Sequence, residues 1–430
     1  MKKNIHIVNQ SREFDVTEKF FSITNKKGVI QCGNDVFMRV SAYEPKEIIG
    51  KPHNVIRHPD MPRCIFKLFW NYLDSGKVIG AYVKNRAKDG KYYWVYALAS
   101  AIGDEYISIR VKPSSELFPV VEKLYADLLA HEENFEGTRQ QAMESAEELL
   151  LERLKELNFD NYDEFLTASL KSELHLHNEA LKEEGNSFSH VADKKEAAEI
   201  RRLMYVFDRL SKLTTLGTKI EETQGCFVNL EKELRMISTN TRYRATRLGM
   251  EGQPLNVICD EITRARTDIG SELSRLTDDV ESIAQALKGA TLHSCMGVLQ
   301  VQMQQEFNQK VNEQKYDEET QIQLFGSPLS EMNTKVHQAS NGSLTNFTDE
   351  MNKLSGSLDD VDVFVQFLLR LLQVLNFTYV TGRSLSASIG KETKEIDSIL
   401  EDLLAAANRT SGDLSTLRNL LADVRAIISG

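Results

Sequence analysis

From residue 196 to residue 430, apolar residues return every three or four positions. That spacing confines the second half of the chain to long helices that share buried seams. One arm carries Leu213, Ile220, Phe227, Leu230, Leu234 and Ile237. After a turn at Gly249-Met250-Glu251-Gly252, a second carries Ile262, Ile269, Leu273, Leu276, Val280, Ile283 and Leu287. The pair reads as an antiparallel hairpin. A loop at Phe325-Gly326-Ser327-Pro328 precedes another seam from Leu344 to Leu375, whose return arm, Ile396 to Ile428, follows a turn near Gly382–Gly390. The expectation for 196–430 is an all-α antiparallel helical-hairpin or four-helix coiled-coil bundle made of two hairpins, 196–290 and 340–430. Asn376, Tyr379 and Arg383 repeat the spacing of Asn240, Tyr243 and Arg247, as an internal duplication would. The hairpins can close a bundle within one chain or across a homodimer.

The most apolar stretch, Val361–Phe377, is interrupted by Asp362, Gln366, Arg370 and Gln373. A membrane span needs about 20 predominantly apolar residues, so this one reads as a buried helix. The chain is expected to be cytoplasmic, without membrane insertion.

Ahead of residue 113 the apolar period falls to two. Residues 20–32 read as two strands turning at Asn25-Lys26-Lys27-Gly28. Val78–Arg86, Tyr92–Ile102 and Tyr106–Val111 read as three more, joined by turns at Lys88-Asp89-Gly90 and Gly103-Asp104. Between them, Asn34 caps a short helix over Val36–Ser41, and Met61–Ser75 is an amphipathic helix ending at Gly76. The fold expected of 1–113 is α+β: a five-stranded antiparallel sheet with flanking helices and a ligand cavity between the two. Residues 114–195 read as a helical linker.

The net charge of −11 opposes a role in binding nucleic acid. Five cysteines stand singly with no CxxC, as in a reducing compartment. His175 and His177 are two apart, so on a helix they cannot share a metal, and both read as surface residues. No phosphate loop, catalytic triad, kinase or cyclase signature occurs, so the chain is not expected to be an enzyme.

The candidate ligand residues lie between positions 57 and 94. Phe66, Trp70, Tyr93 and Trp94 offer aromatic walls, while Arg57, His58, Asp60 and Asn85 offer polar contacts. A flat heteroaromatic ring wants such faces and a few placed donors, and a diphosphate wants Arg or Lys. Tyr93 and Trp94 are neighbours on a strand, so one of them can be plain packing.

The order Asn34-Asp35-Val36-Phe37, Gly50-Lys51-Pro52-His53-Asn54, Arg57-His58-Pro59-Asp60-Met61-Pro62, Val83-Lys84-Asn85-Arg86 and Tyr92-Tyr93-Trp94-Val95 resembles the PAS domain of bacterial aerotaxis receptors. The likeness covers roughly residues 15–131. It implies a flavin-binding redox or oxygen sensor holding FAD, with Arg57, His58, Asp60 and Asn85 at the pocket. Ile79 stands where that family has a Trp. Haem, on His53 or His58, is the alternative cofactor, and a scaffold with an empty PAS domain is the alternative function. The stretch Asn240 to Glu261 resembles the signalling tip of methyl-accepting chemotaxis proteins, with Asn240, Arg247, Gly249 and Gly252 matching and Arg242, Tyr243, Arg244 and Pro254 departing. That likeness implies a protein partner: a chemotaxis kinase, a coupling protein or other chemoreceptors.

Overall fold

The computed structural model describes residues 7–183, 203, 205–207, 209–313, 315–389 and 394–429. The chain forms two compact units, Met1–Met204 with Thr291–Phe347, and Tyr205–Ala290 with Thr348–Gly430.

The first unit is built on strands β1 (Phe20–Asn25), β2 (Ile30–Gly33), β3 (Ile79–Arg86), β4 (Tyr92–Ile102) and β5 (Glu105–Val111). They form one antiparallel sheet in the order β2-β1-β5-β4-β3, the α+β architecture expected. Helix α1 (Asp35–Ser41) starts where Asn34 accepts the Phe37 N–H at 3.1 Å. The same Oδ1 accepts from Phe21 N–H at 3.0 Å, and Nδ2 donates to the Lys19 carbonyl, so one side chain ties the first helix to the first strand. Helix α2 (Pro45–Ile48), a 3-10 turn (His53–Ile56) and α3 (Arg63–Asp74) complete the layer over one sheet face.

The other face is covered as well. Helices α4 (Leu117–Asn134), α5 (Arg139–Glu156) and α6 (Tyr162–Glu183) span the residues read as a linker, and α4 and α6 pack on the sheet. Trp94 meets Phe118 at 5.4 Å and Tyr96 Oη bonds Ser169 Oγ at 2.9 Å. Gly80 permits this approach: a Cβ there would lie 2.6 Å from Leu166 Cδ1, and its carbonyl accepts from Tyr162 Oη at 2.9 Å. Two buried carboxylates fasten the layer. Glu173 of α6 accepts from Tyr82 Oη, Ser115 Oγ and the backbone N–H groups of Ser114 and Ser115. Glu132 of α4 accepts from Arg63 N–H and Cys64 N–H, the free donors at the start of α3. His177, expected on the surface, is buried and its Nδ1 donates to the Val16 carbonyl at 2.7 Å. Its helix face meets the chain leading into β1, which periodicity does not announce.

The second unit is helical. Its helices are α7 (Leu210–Arg247), the early part of α8 (Leu255–Asn312), the later part of α10 (Leu329–Ile389), and α11 (Lys394–Ser429); α9 (Glu318–Phe325) belongs to the first unit. Ile220, Phe227, Leu230 and Leu234 are buried, as are Ile262, Ile269 and Leu276, Leu358, Val361 and Val365, and Leu400, Leu403 and Leu417. Phe227 packs edge-on to Phe364 at 5.3 Å, Ser282 bonds Ser357, and Arg409 pairs with Glu233 at 2.7 Å. The seams are therefore buried within one chain.

The helix limits differ from the expected hairpins. Helix α8 runs past residue 290 to Asn312 and α10 starts at Leu329, before 340, because no proline interrupts either and their outer segments pack in the first unit. Phe307 meets Phe21 of β1 at 5.0 Å, and Lys335 pairs with Glu105 of β5. The turn placed at Gly382–Gly390 begins later, since α10 continues to Ile389. Residues 184–195 of the expected linker and the side chain of Leu213, expected in the seam, lie outside what is described. By length and composition α10 is apolar enough to cross a membrane. Leu368, Leu372 and Leu375 are buried along it, while Val363, Phe377 and Val380 are exposed.

Candidate functional site

Two cavities meet between the sheet and the α3 layer. The inner one, about 60 Å³, lies on the sheet face made by Ser22, Thr24, Val83, Asn85, Ala97, Tyr106, Ser108 and Arg110. The outer one, about 490 Å³, opens between Gly28, Pro52, Asn54, Arg57, Arg63 and Arg139. His53, Phe66 and Trp70 wall both. Trp70 leans over the hairpin turn at Gly28, where φ is +71° and a Cβ would sit 2.8 Å from the indole. Only glycine suits both conditions.

Strand alternation brings Arg110 inward with Ser108 and Tyr106. Its guanidinium donates to Ser22 Oγ at 2.7 Å and to His53 Nε2 at 2.8 Å, and lies over the Phe37 ring. Among the described residues no carboxylate pairs with it, and Nη1 has no hydrogen-bond partner. Burial pulls it down to about 10, still a cation at neutral pH. His53 is pushed down to about 3 by burial and by the Arg110 charge. A guanidinium only donates, so Nε2 accepts and the ring's single proton sits on Nδ1. Asn85 is buried on the same wall. Tyr93, opposite Asn85 on β4, stacks on Phe20 at 5.7 Å with its buried hydroxyl unpartnered.

Arg57 lines the outer cavity, donating to the Met61 carbonyl at 3.0 Å with its charge 4.1 Å from the Phe66 ring centre. Its backbone bridges to Asn85, which extends the sheet past β3. Arg57, Phe66, Trp70 and Asn85 are thus gathered at the cavities, with Tyr93 farther along the inner face.

Three other candidates lie elsewhere. Trp94 is on the opposite sheet face, under Phe118 and Tyr125, because it neighbours inward-facing Tyr93. Asp60 pairs with Lys84 Nζ at 2.7 Å on that side. His58 is buried edge-on to Tyr92, and its Nδ1 accepts from Asp60 N–H at 3.2 Å. Burial holds it neutral, down to about 4, so its proton is on Nε2. In neither His53 nor His58 is a ring nitrogen left with a free lone pair, and that is what a haem iron would need. The corner Arg57–Pro62 is mainly a clamp along β3. Ile79, at the Trp position of the family pattern, is a fully buried β3 residue.

Sequence reading missed Arg110 and the place of His53 on the wall of both cavities. The available signal was an arginine inside the apolar strand Tyr-Ile-Ser-Ile-Arg-Val.

At the turn between α7 and α8, Gly249 has φ +57° and Gly252 packs directly on the Ala245 carbonyl. Asn240 and Arg247 are exposed, and Arg242 pairs with Asp260 at 2.6 Å.

A sheet with helices enclosing a cavity over one face is the PAS arrangement, and the family model for the PAS fold matches residues 33–110. More particularly, 135 residues, 30% of this chain, are 36% identical to the aerotaxis receptor of Escherichia coli (strain K12). The match covers 27% of that receptor, so the chain spans about a quarter of its length. The N-terminal region is a PAS sensor domain of aerotaxis-receptor type. Among solved structures, a light-oxygen-voltage domain studied with a flavin analogue aligns at 18% identity over 25% of this chain and 85% of its own, with TM-score 0.23. The light-state LOV structure of the blue-light photoreceptor Aureochrome1 aligns at 22% identity over 27% and 91%, with TM-score 0.21.

Proposed function

We propose that this chain is a cytoplasmic, non-catalytic sensor whose PAS cavity binds FAD and reports redox state or oxygen to the helical bundle. The observation that carries this reading is Arg110, a buried cation with no carboxylate partner among the described residues, on the wall of a cavity that Asn85 also lines. Such groups are costly in an empty core and suit a ligand with carbonyls and ring nitrogens along one edge. Phe66 and Trp70 supply aromatic faces, and an outer cavity of about 490 Å³ is of small-molecule size. The donor set therefore fits a flavin.

A bound flavin would supply reversible electron-transfer chemistry. Arg110 holds a fixed positive charge where electron density rises on reduction, and the Asn85 amide can present either its oxygen or its NH₂ group. Any change at Asn85 acts on β3, the strand that Arg57, Tyr162 and Tyr82 tie to the surrounding helices. The bundle is the output element, and its exposed tip residues Asn240, Arg247 and Gly249 are the contact for a chemotaxis kinase, a coupling protein or other chemoreceptors. Departures at Arg242, Tyr243 and Arg244 make that partner a divergent one.

Hydrogen exchange on the loaded protein tests the sensor reading. Oxidised and dithionite-reduced samples are expected to differ in protection along β3 and α3. Identical protection in both states would contradict it.

A further inference from the structure

The mouth of the outer cavity is basic in a chain whose net charge is −11. Lys27, Arg57, Arg63, Lys67 and Arg139 line it, and no aspartate or glutamate does. Lys67 is neutralised by Glu147 at 2.9 Å. Among the described residues, Lys27, Arg63 and Arg139 have no carboxylate partner, and Arg57 donates only to a carbonyl. Of the charges around Arg57, the Glu132 carboxylate favours its cation most, and Arg63 and Arg139 are near enough to oppose it. The helix start at Arg63 is already satisfied, because Glu132 takes the N–H groups of Arg63 and Cys64. What remains at the mouth is three arginines from separate parts of the chain, Arg57, Arg63 and Arg139, none of them ion-paired to a carboxylate among the described residues.

Arginines gathered in this way recognise phosphate oxygens. We infer that the mouth holds the phosphate groups of the ligand whose ring lies toward Arg110, with Arg57, Arg63 and Arg139 as the clamp. This inference rests on the flavin reading. It adds α5 to the site, since Arg139 is that helix's first residue and lies beyond the stretch 33–110 that matches the PAS fold. A phosphate held by Arg63 of α3 and Arg139 of α5 fastens the two helices together, so ligand occupancy is coupled to the position of α5.

The test uses the full-length chain stripped of any bound chromophore and titrated with riboflavin, FMN and FAD, followed by flavin fluorescence. FAD is expected to bind at least about tenfold more tightly than riboflavin, with the gap narrowing at high salt. Arg139→Gln should narrow that gap about three- to tenfold, and Arg139→Lys should restore part of it. The thermal midpoint of each variant shows that it is folded, as the exposed position of Arg139 leads one to expect. Equal affinity for the three flavins, or an FAD affinity untouched by Arg139→Gln, overturns the phosphate clamp while leaving the flavin reading intact. Binding of no flavin at all overturns both.

Discussion

The guanidinium of Arg110 donates to Nε2 of His53 at 2.8 Å, which sets an unmatched cation against a neutral imidazole on the wall of the PAS cavity. The pair joins strand β5 to the 3-10 turn and so spans the two layers that enclose the cavity.

Replacing Arg110 with methionine separates binding from folding. The variant loses a charge-assisted donor, and flavin affinity should fall about ten- to a hundredfold. Stability should hold or rise, since a buried charge without a partner is removed. Flavin titration and thermal melting of the same preparation read both effects. Unchanged affinity would exclude Arg110 from the site.

Three desolvated histidines make stability depend on pH. Burial, joined at His53 by the Arg110 charge, holds His53 at about 3, and burial holds His58 and His177 at about 4. The unfolded chain titrates its histidines near pH 6.5, so between these values it binds more protons than the folded one. Stability is therefore complete above about pH 6.5 and falls as pH drops toward 4. The thermal midpoint should be lower at pH 5 than at pH 7.5. His177→Gln, which keeps a donor for the Val16 carbonyl, should show a shallower decline. A midpoint flat across this range would refute the assignment.

Glu173 is a buried acceptor for five donors from β3 and the entry to α4. Glu173→Gln turns an NH₂ group toward donors and should destabilise the first unit by about 1–3 kcal/mol, measured by urea unfolding. A change below about 0.5 kcal/mol, the level of an ordinary surface substitution, would show that the carboxylate is dispensable.

Gly80 lies where α6 crosses β3. A Cβ there would stand 2.5 Å from Tyr96 Oη and 2.6 Å from Leu166 Cδ1. Gly80→Ala should lower the melting temperature, with a loss of about 1–3 kcal/mol from overpacking. An unchanged melting temperature would mean that α6 shifts freely.

Much of this architecture is legible in the sequence, for identifiable reasons. Turn residues such as Asp89-Gly90 and Gly103-Asp104 punctuate the strands, so the limits of β3, β4 and β5 fall within a residue of those expected. The seams of the second unit follow from apolar spacing alone. Side-chain direction was harder. Alternation puts Tyr93 and Trp94 on opposite faces, but both faces are buried here, so periodicity could not say which one met the cavity. Arg110 was missed for the same reason, since a strand arginine ordinarily marks a solvated face. The extra lengths of α8 and α10 are decided by packing against strands more than two hundred residues earlier in the chain, as Phe21 with Phe307 shows. No local pattern carries that information.

The measurement that bears most directly on the flavin-sensor reading is the absorption spectrum of the purified full-length chain, alone and with one equivalent of FAD, before and after dithionite. The account predicts a protein-bound flavin spectrum that bleaches reversibly on reduction and co-elutes with the chain on gel filtration. A colourless chain from which added FAD separates completely would contradict it.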